Sequence, residues 1–291
     1  MSGIFEFITQ DHDYWLVVTA GLVCVAGSCL TTMTLRRLIT AIGFRKRVQL
    51  VMSSLITGAT IWATHFIAML AYDPVVEHGY EPLLTGMSLG VAIIGALATN
   101  AAFAFLQGRQ QYLIAGTLFA LTVSVMHYVG MSALQISGAL IWNPVVVVTS
   151  VLLGAVLGVA SFHRIAYPIT RFCWLAGSIL MVLSIFAMHF TGMSAFEVRP
   201  NPDFVVPPQV LSESLLGLLI FSVVTVILFI GFSGISIETN LERESISKLK
   251  HNVMHDHLTG LPNRLHLKQK IDELRVTLLR DPNLGVVVVA I

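Results

Sequence analysis

Between residues 14 and 235 the chain holds seven long apolar stretches, at 14–35, 48–72, 83–106, 112–134, 145–162, 172–196 and 210–235, and none contains lysine or arginine. A bilayer core takes about 20 consecutive apolar residues per helix, so this pattern leaves few other folds open. Glu213 is the one acid in these runs, and it stands at the start of the last, where a helix N-terminus favours negative charge. Membrane barrel strands alternate polar and apolar residues over about ten positions, and these runs do not. Charged residues make up only 11% of the 291, against about 25% in ordinary soluble domains, so most of the chain cannot build a water-facing surface. A net charge of +1 gives no electrostatic footing for nucleic acid. Cys24, Cys29 and Cys173 lie in or beside apolar runs and cannot make a disulfide framework. Residues 1–13 lack a basic n-region and carry Glu6, Asp11 and Asp13, so no cleaved signal peptide is expected.

Orientation follows from the basic residues. The loops after spans one, three and five hold Arg36, Arg37, Arg45, Lys46, Arg47, Arg109, Arg164 and Arg171. The other side has only Arg199, with the acids Asp73, Glu77, Glu81, Glu197 and Asp203. This asymmetry places the N-terminus outside and the C-terminus in the cytoplasm. Trp15, Tyr72, Tyr80 and Trp142 then fall near outer boundaries, as interfacial aromatics.

A repeat runs through the spans. THFIAMLAY from Thr64, MHYVGMSAL from Met126 and MHFTGMSAF from Met188 align without gaps, with His65, His127 and His189 each 62 residues apart. Each unit is a helical hairpin that places its motif at the outer end of its second helix, in spans two, four and six. The common pattern is His-aromatic-x-x-Met-x-Ala. Residues four apart share a helix face, so His65 with Met69, His127 with Met131, and His189 with Met193 each aim an imidazole and a thioether the same way. Met126 and Met188 sit one residue earlier, about 100° round the helix. Gly130 and Gly192 permit close helix approach. Should the three outward-going helices converge, six nitrogen and sulfur ligands gather near the outer surface.

A single histidine at a helix end usually bonds backbone or water, and methionine is a common packing filler. Three copies on one side at one spacing point instead to a ligand site, since ionisable groups within spans are costly. Thioether and imidazole together suit Cu(I), whereas hard cations take oxygen. Haem held between two histidines, or a site for a diatomic gas, would use the same residues.

The segment Met126-His127-Tyr128-Val129-Gly130-Met131 and its two partners resemble the MHYT domain, a bacterial integral-membrane sensor, over about residues 10–240. The resemblance implies sensing of oxygen, nitric oxide or carbon monoxide through bound copper, in a multi-pass protein of the bacterial inner (plasma) membrane. Copy one has Thr64 in place of the first Met, and Phe66 and Phe190 replace Tyr, so His and the later Met would carry the chemistry.

After Gly234 the composition changes. Residues 238–291 hold 8 of the 17 Lys/Arg and 7 of the 16 Asp/Glu, so this part is water-soluble. Residues 236–255 read as a polar helix continuing span seven, either a dimeric stalk through Ile246, Leu249 and Val253 or a solvated linker. Then come Asp256-His257-Leu258-Thr259-Gly260-Leu261-Pro262-Asn263-Arg264, a helix near 265–279, a turn at Asp281-Pro282-Asn283, and an apolar strand at 286–291. The nine-residue segment is similar to the opening motif of GGDEF domains, which condense two GTP into cyclic di-GMP. The resemblance gives Asp256, Asn263 and Arg264 a structural and signalling role and implies a homodimer. The family's catalytic loop is absent from these residues, so no cyclase activity is expected of them; Mg and GTP would belong to a longer parent, in which an EAL phosphodiesterase domain sometimes follows.

The expected fold is thus an all-α membrane domain of seven transmembrane helices, three hairpin repeats plus one, over 10–236. A linker helix over 237–254 and the start of an α/β GGDEF domain over 255–291 follow it. The expected partners are the lipid bilayer, a second copy and a small diatomic ligand, without nucleic acid. The competing reading is a copper transporter, whose inward path would be the sparse hydroxyls of Ser53, Ser54, Thr57, Thr60, Thr122, Ser124, Ser178 and Ser184 with Met181. Haem-linked electron transfer is weaker, because His163 is the one histidine in the short inner loops.

Overall fold

The computed structural model describes residues 13–72, 77–170, 172–200, 209–255 and 259–278, and the side chains of 200, 235 and 237–252 lie outside that description. Seven helices are long and apolar enough to cross a membrane: α1 (Tyr14–Thr40), α2 (Gly43–Ala71), α3 (Pro82–Phe105), α4 (Gly108–Ser132), α5 (Pro144–Ala166), α6 (Cys173–Met193) and the first part, Glu213–Gly234, of α7 (Glu213–Met254). The protein is a multi-pass membrane protein that meets the lipid bilayer through these spans.

Helices α1, α3 and α5 all begin at the end of the bundle where α2, α4 and α6 finish, and each begins on a capping side chain. The Asp13 carboxylate accepts from the N–H groups of Trp15 and Leu16, Glu81 from Leu83 and Leu84, and Asn143 from Val145. Pro82 and Pro144 occupy first-turn positions where a missing N–H costs nothing. At the opposite end the chain reverses within two residues, 41–42 and 106–107. Gly43 and Gly108 take φ of +58° and +63° there, a conformation that strains residues carrying a Cβ.

Six helices close into a ring, with α1 packed on α2 and α6, and each of α2 to α5 on its successor. Within it α4 also touches α2 and α6, which brings the three motif helices to the middle. Burial follows that order: 89% of the most apolar window of α2 is enclosed, against 22% for α7. Lipid offers no hydrophobic drive for helix association, so small residues let backbones approach. A Cβ on Gly58 would stand 2.7 Å from Cα of Ile93, and one on Gly116 2.4 Å from Cα of Val159.

The all-α expectation needs one correction. The connections at the motif end carry two antiparallel two-stranded sheets: β1 (His78–Tyr80) pairs with β2 (Leu134–Ile136), and β3 (Gly138–Trp142) with β4 (Phe196–Pro200). The two sheets repeat one another, since Tyr80 opposes Leu134 and Trp142 opposes Phe196, each 62 residues on. Strands of three and five residues show too little alternation to be read in a sequence.

By its contacts the chain divides into two compact units, Met1–Gly231 and Phe232–Ile291. The second contains the end of α7 and a helix α8 (Arg264–Leu278), where a helix near 265–279 is expected. Asn263 joins them. Its side-chain Oδ1 accepts from the N–H groups of Leu265 and His266, its Nδ2 donates to the Val253 carbonyl at 2.7 Å, and its backbone N–H donates to Met254. Asp256, the 281–283 turn and the 286–291 strand lie outside the described residues. So do the side chains of Ile246 and Leu249.

Gly58→Leu should lower the thermal midpoint of the detergent-purified protein, at a cost of about 1–3 kcal/mol for overpacking against backbone that cannot yield. Gly90→Ala, with nothing within 4 Å of the added Cβ, should leave the midpoint unchanged or raise it slightly.

Candidate metal centre

His65 on α2, His127 on α4 and His189 on α6 meet inside the bundle near the strand-bearing end. Each Nδ1 lies 3.2 Å from the other two. The rings stand nearly perpendicular to one another, at 79° to 85°. The side chains are buried, with 2%, 0% and 3% exposure. Among the described residues this is the one group of His, Cys, Asp or Glu side chains placed to hold a metal ion.

Hydrogen bonding alone cannot satisfy this triangle. A neutral imidazole carries one N–H and one lone pair. With all three protons on Nε2, three lone pairs face one another; a single Nδ1–H must be shared between two acceptors. A cation at the centre answers all three lone pairs at once. The point equidistant from the corners lies about 1.8 Å from each nitrogen, so a small step along the threefold axis reaches the ~2.0–2.1 Å of a zinc–imidazole bond. Imidazole donors suit zinc, copper, iron and nickel. A haem between two of these rings would set their nitrogens on opposite sides of the iron, about 4 Å apart, with the third ring clear of the macrocycle, whereas all three nitrogens lie 3.2 Å from one another.

The outer ring nitrogens explain two glycines. Nε2 of His65 would stand 2.4 Å from a Cβ on Gly130 of the next motif helix, and Nε2 of His127 2.6 Å from one on Gly192. These glycines therefore seat imidazoles, beyond letting helices approach. Both Nε2 atoms are buried without a hydrogen-bond partner. A buried donor left unpaired costs about 1–3 kcal/mol, small against the roughly 10–16 kcal/mol of a structural zinc site.

The rest of the motif divides by role. Met69, Met131 and Met193, one turn beyond the histidines, are fully buried, and Met126 and Met188 are 1% exposed. Met188 directs its Cβ and Cγ toward Gly154 of α5, its hairpin partner. The Tyr128 phenol turns to α5 and shares a 2.7 Å hydrogen bond with Ser150, so it anchors a helix and leaves the histidines to the ring edges of Phe66, Tyr128 and Phe190. The closing alanine works through its backbone. The carbonyls of Ala71, Ala133 and Ala195 accept from the N–H groups of the capping residues Asp13, Glu81 and Asn143, at 2.8, 2.8 and 2.7 Å. Each motif helix is thereby stapled to the start of its hairpin partner.

Two residues outside the motif emerge only in three dimensions. Asn100 on α3 is fully buried, and its Nδ2 reaches the hydroxyls of Ser53, Ser54 and Thr57 on α2 at 3.2, 3.3 and 3.5 Å. A lone amide within an apolar run is the signal that marks it. Tyr80 reads as an interfacial aromatic in the sequence but has 0% exposure, and its hydroxyl donates to the Met69 carbonyl at 3.1 Å. Burial, with the Glu213 carboxylate adding to it, pushes the Tyr80 phenol above its ordinary range.

Comparison with known proteins agrees with this threefold plan. Residues 58–116, 121–177 and 183–241 each match the MHYT repeat, described as a bacterial signalling protein N-terminal repeat. An uncharacterized signalling protein of Caulobacter vibrioides is 34% identical over 84% of this chain and 30% of its own length. The cyclic di-GMP phosphodiesterase NbdA of Pseudomonas aeruginosa is 27% identical over 90% of this chain and 37% of its own. The bifunctional diguanylate cyclase/cyclic di-GMP phosphodiesterase MucR of the same organism is 24% identical over 94% and 42%. The chain thus spans between about a third and two fifths of the length of these relatives. No solved structure matches.

Replacing any one of His65, His127 and His189 with alanine should take bound metal, measured by elemental analysis after dialysis, from one ion per chain to near none. Tyr128→Phe should keep the ion. Gly130→Ala and Gly192→Ala should weaken binding about ten- to hundredfold, as loss of ligand support does at other metal sites.

Proposed function

The chain belongs to the MHYT family of bacterial signalling proteins, and from that membership and the meeting of its three histidines we propose that it is the sensory part of a membrane signal transducer. The observation that carries this reading is the triangle of Nδ1 atoms 3.2 Å on a side. His65, His127 and His189 hold a copper ion there. Met69, Met131 and Met193 supply soft thioether donors from the next turn; Met126 and Met188 precede two of these histidines by one residue, and Met188 packs against Gly154 of α5. Copper bound in this place would supply one-electron chemistry and affinity for a diatomic gas. The protein's own part is to fix three ring orientations on Gly130, Gly192 and the neighbouring aromatic edges, and to keep bulk water out.

The charge asymmetry supports an N-terminus outside and a C-terminus in the cytoplasm of the bacterial inner membrane, with the histidine end outermost. Output is the synthesis or breakdown of cyclic di-GMP, for which the names of two relatives and the GGDEF-like segment from Asp256 to Arg264 speak. In that plan residues 10–236 are the sensor, 237–254 the linker, and 255–291 the first part of an output domain that uses Mg and GTP in a homodimer. Copper transport fits less well. The hydroxyls of Ser53, Ser54 and Thr57 on the would-be path already donate to their own helix carbonyls and accept from Asn100.

Purified protein should hold one copper per chain and show no Soret band. The triple variant Met69→Leu, Met131→Leu, Met193→Leu should lose about ten- to hundredfold in Cu(I) affinity while Zn(II) binding stays close to wild type; equal loss for both metals would remove the thioethers from the site. Residues 1–250 fused to an intact cyclase domain should give a rate that responds to copper, oxygen, nitric oxide or carbon monoxide, and a flat response to all four would end the sensor reading.

A further inference from the structure

A sensor needs a path from its site to the helix that leaves the membrane, and the short strand β1 makes one. At one end, Tyr80 grips the site helix. Its hydroxyl donates to the carbonyl of Met69, one turn beyond His65, and its ring packs edge-on against Phe66, with centroids 6.1 Å apart. At the other end, the same three residues hold the start of α7. The Leu211 N–H donates to the Tyr80 carbonyl at 2.7 Å, and the Tyr80 N–H returns a bond to Leu211 at 3.3 Å. His78 meets Glu213, the first residue of α7, at 3.0 Å. Gly79 lies so close to Val210 that a Cβ would stand 2.5 Å from it.

The repeat shows that this is a departure from the common plan. Trp142 holds the position equivalent to Tyr80 in the second sheet and meets Tyr128 edge-on as Tyr80 meets Phe66, yet it is 36% exposed and also leans on Phe196. Among the described residues, the ring contact with the motif helix occurs in both repeats, but only Tyr80 is fully buried, ends in a hydroxyl bonded to a motif-helix carbonyl, and has a strand that bonds to the segment entering α7. Directional polar contacts hold both ends of this strand, so a shift of the α2 end is felt at Leu211.

We propose that β1 is a strap that passes the state of the three-histidine site to α7, with Tyr80 as the positioning residue at its site end. The proposal rests on the metal reading above. Metal that draws the three rings together fixes the last turn of α2, and Tyr80 carries that constraint through Leu211 and Glu213 to the start of α7. Coupling of this kind is a free energy shared between two places, so it is read as a response at α7 to an ion bound at the histidines.

The test is hydrogen exchange on the full chain in detergent, with and without Zn(II) as the probe, alongside metal analysis of the same samples. In the wild type, one Zn(II) per chain should slow exchange at Leu211 and the first turn of α7 by about fivefold or more, the lower end of ordinary coupling. Tyr80→Phe removes only the hydroxyl. It should still bind one Zn(II), but exchange at α7 should no longer respond. Leu211→Pro, which deletes the donor to the Tyr80 carbonyl and leaves the phenol in place, should give the same decoupling should Tyr80→Phe fail to fold. Trp142→Phe should respond as wild type does. A full α7 response in metal-loaded Tyr80→Phe or Leu211→Pro overturns the strap, as does a wild type that binds Zn(II) without any change at α7. A wild type that binds no Zn(II) and no copper overturns the metal reading and the strap with it.

Discussion

Three imidazole nitrogens that face one another inside a membrane protein set the terms for everything around them. Neutral rings cannot satisfy such a triangle by hydrogen bonds, and charged rings would repel in a medium that screens little. The arrangement could take a cation at its centre, and it rests on a scaffold that holds the three rings together. The scaffold is visible residue by residue. Gly130 and Gly192 admit the outer ring edges. The carbonyls of Ala71, Ala133 and Ala195 tie each motif helix to a capped partner. The sheets β1–β2 and β3–β4 link the connections of successive repeats at the same end.

Threefold repetition builds the site, and its departures give the molecule a direction. Where the first hairpin meets the second, away from the strand-bearing end, Thr57 on α2 meets Asn100 on α3. Sixty-two residues on, the same places hold Phe119 and Phe162, whose rings pack 5.7 Å apart. A polar, reformable contact in one repeat thus stands where the next has fixed aromatic packing. The inward turn of Tyr80 belongs to the same repeat. Repeat one, whose motif has Thr64 for methionine and Ala68 for glycine, thus differs from repeat two in motif, interface and the burial of this aromatic.

The parts of this structure legible in the sequence are those fixed by composition and by gap-free spacing. Seven apolar runs give the spans, and histidines 62 apart give three equivalent helix ends. The caps were hidden because Asp13, Glu81 and Asn143 are spaced by 68 and then 62 residues. That uneven step comes from the longer helices of the first hairpin, 27 and 29 residues against 24 and 25 in the second, with equally short turns between them. Helical spacing says which face His65 presents, but not that Nδ1, rather than Nε2, points to the centre; that choice lies in side-chain torsions set by the neighbouring glycine. Tyr80 is a related case. An aromatic residue beside a span has the same sequence signature whether it lies at the lipid boundary or folds inward under a three-residue strand.

Packing density determines which helix can respond. Helices α1 to α6 close on one another, and their interfaces are held by glycines at backbone contact, so a displacement within the ring costs overlap almost at once. Helix α7 is different. Its membrane part is the least enclosed of the seven, and apolar crevices of about 220 and 330 Å³ flank it, the first against α1 and α2, the second against α2 and α3. Neither crevice offers a polar contact that would fix its position, and lipid chains can fill the space that a moving helix leaves. A rigid ring that could hold an ion and a loosely seated seventh helix can change their relation without unpacking the site. The contacts at Tyr80, Leu211 and Glu213 then stand out, because they join the start of α7 to α2, one of the three helices that an ion at the histidines would tie together.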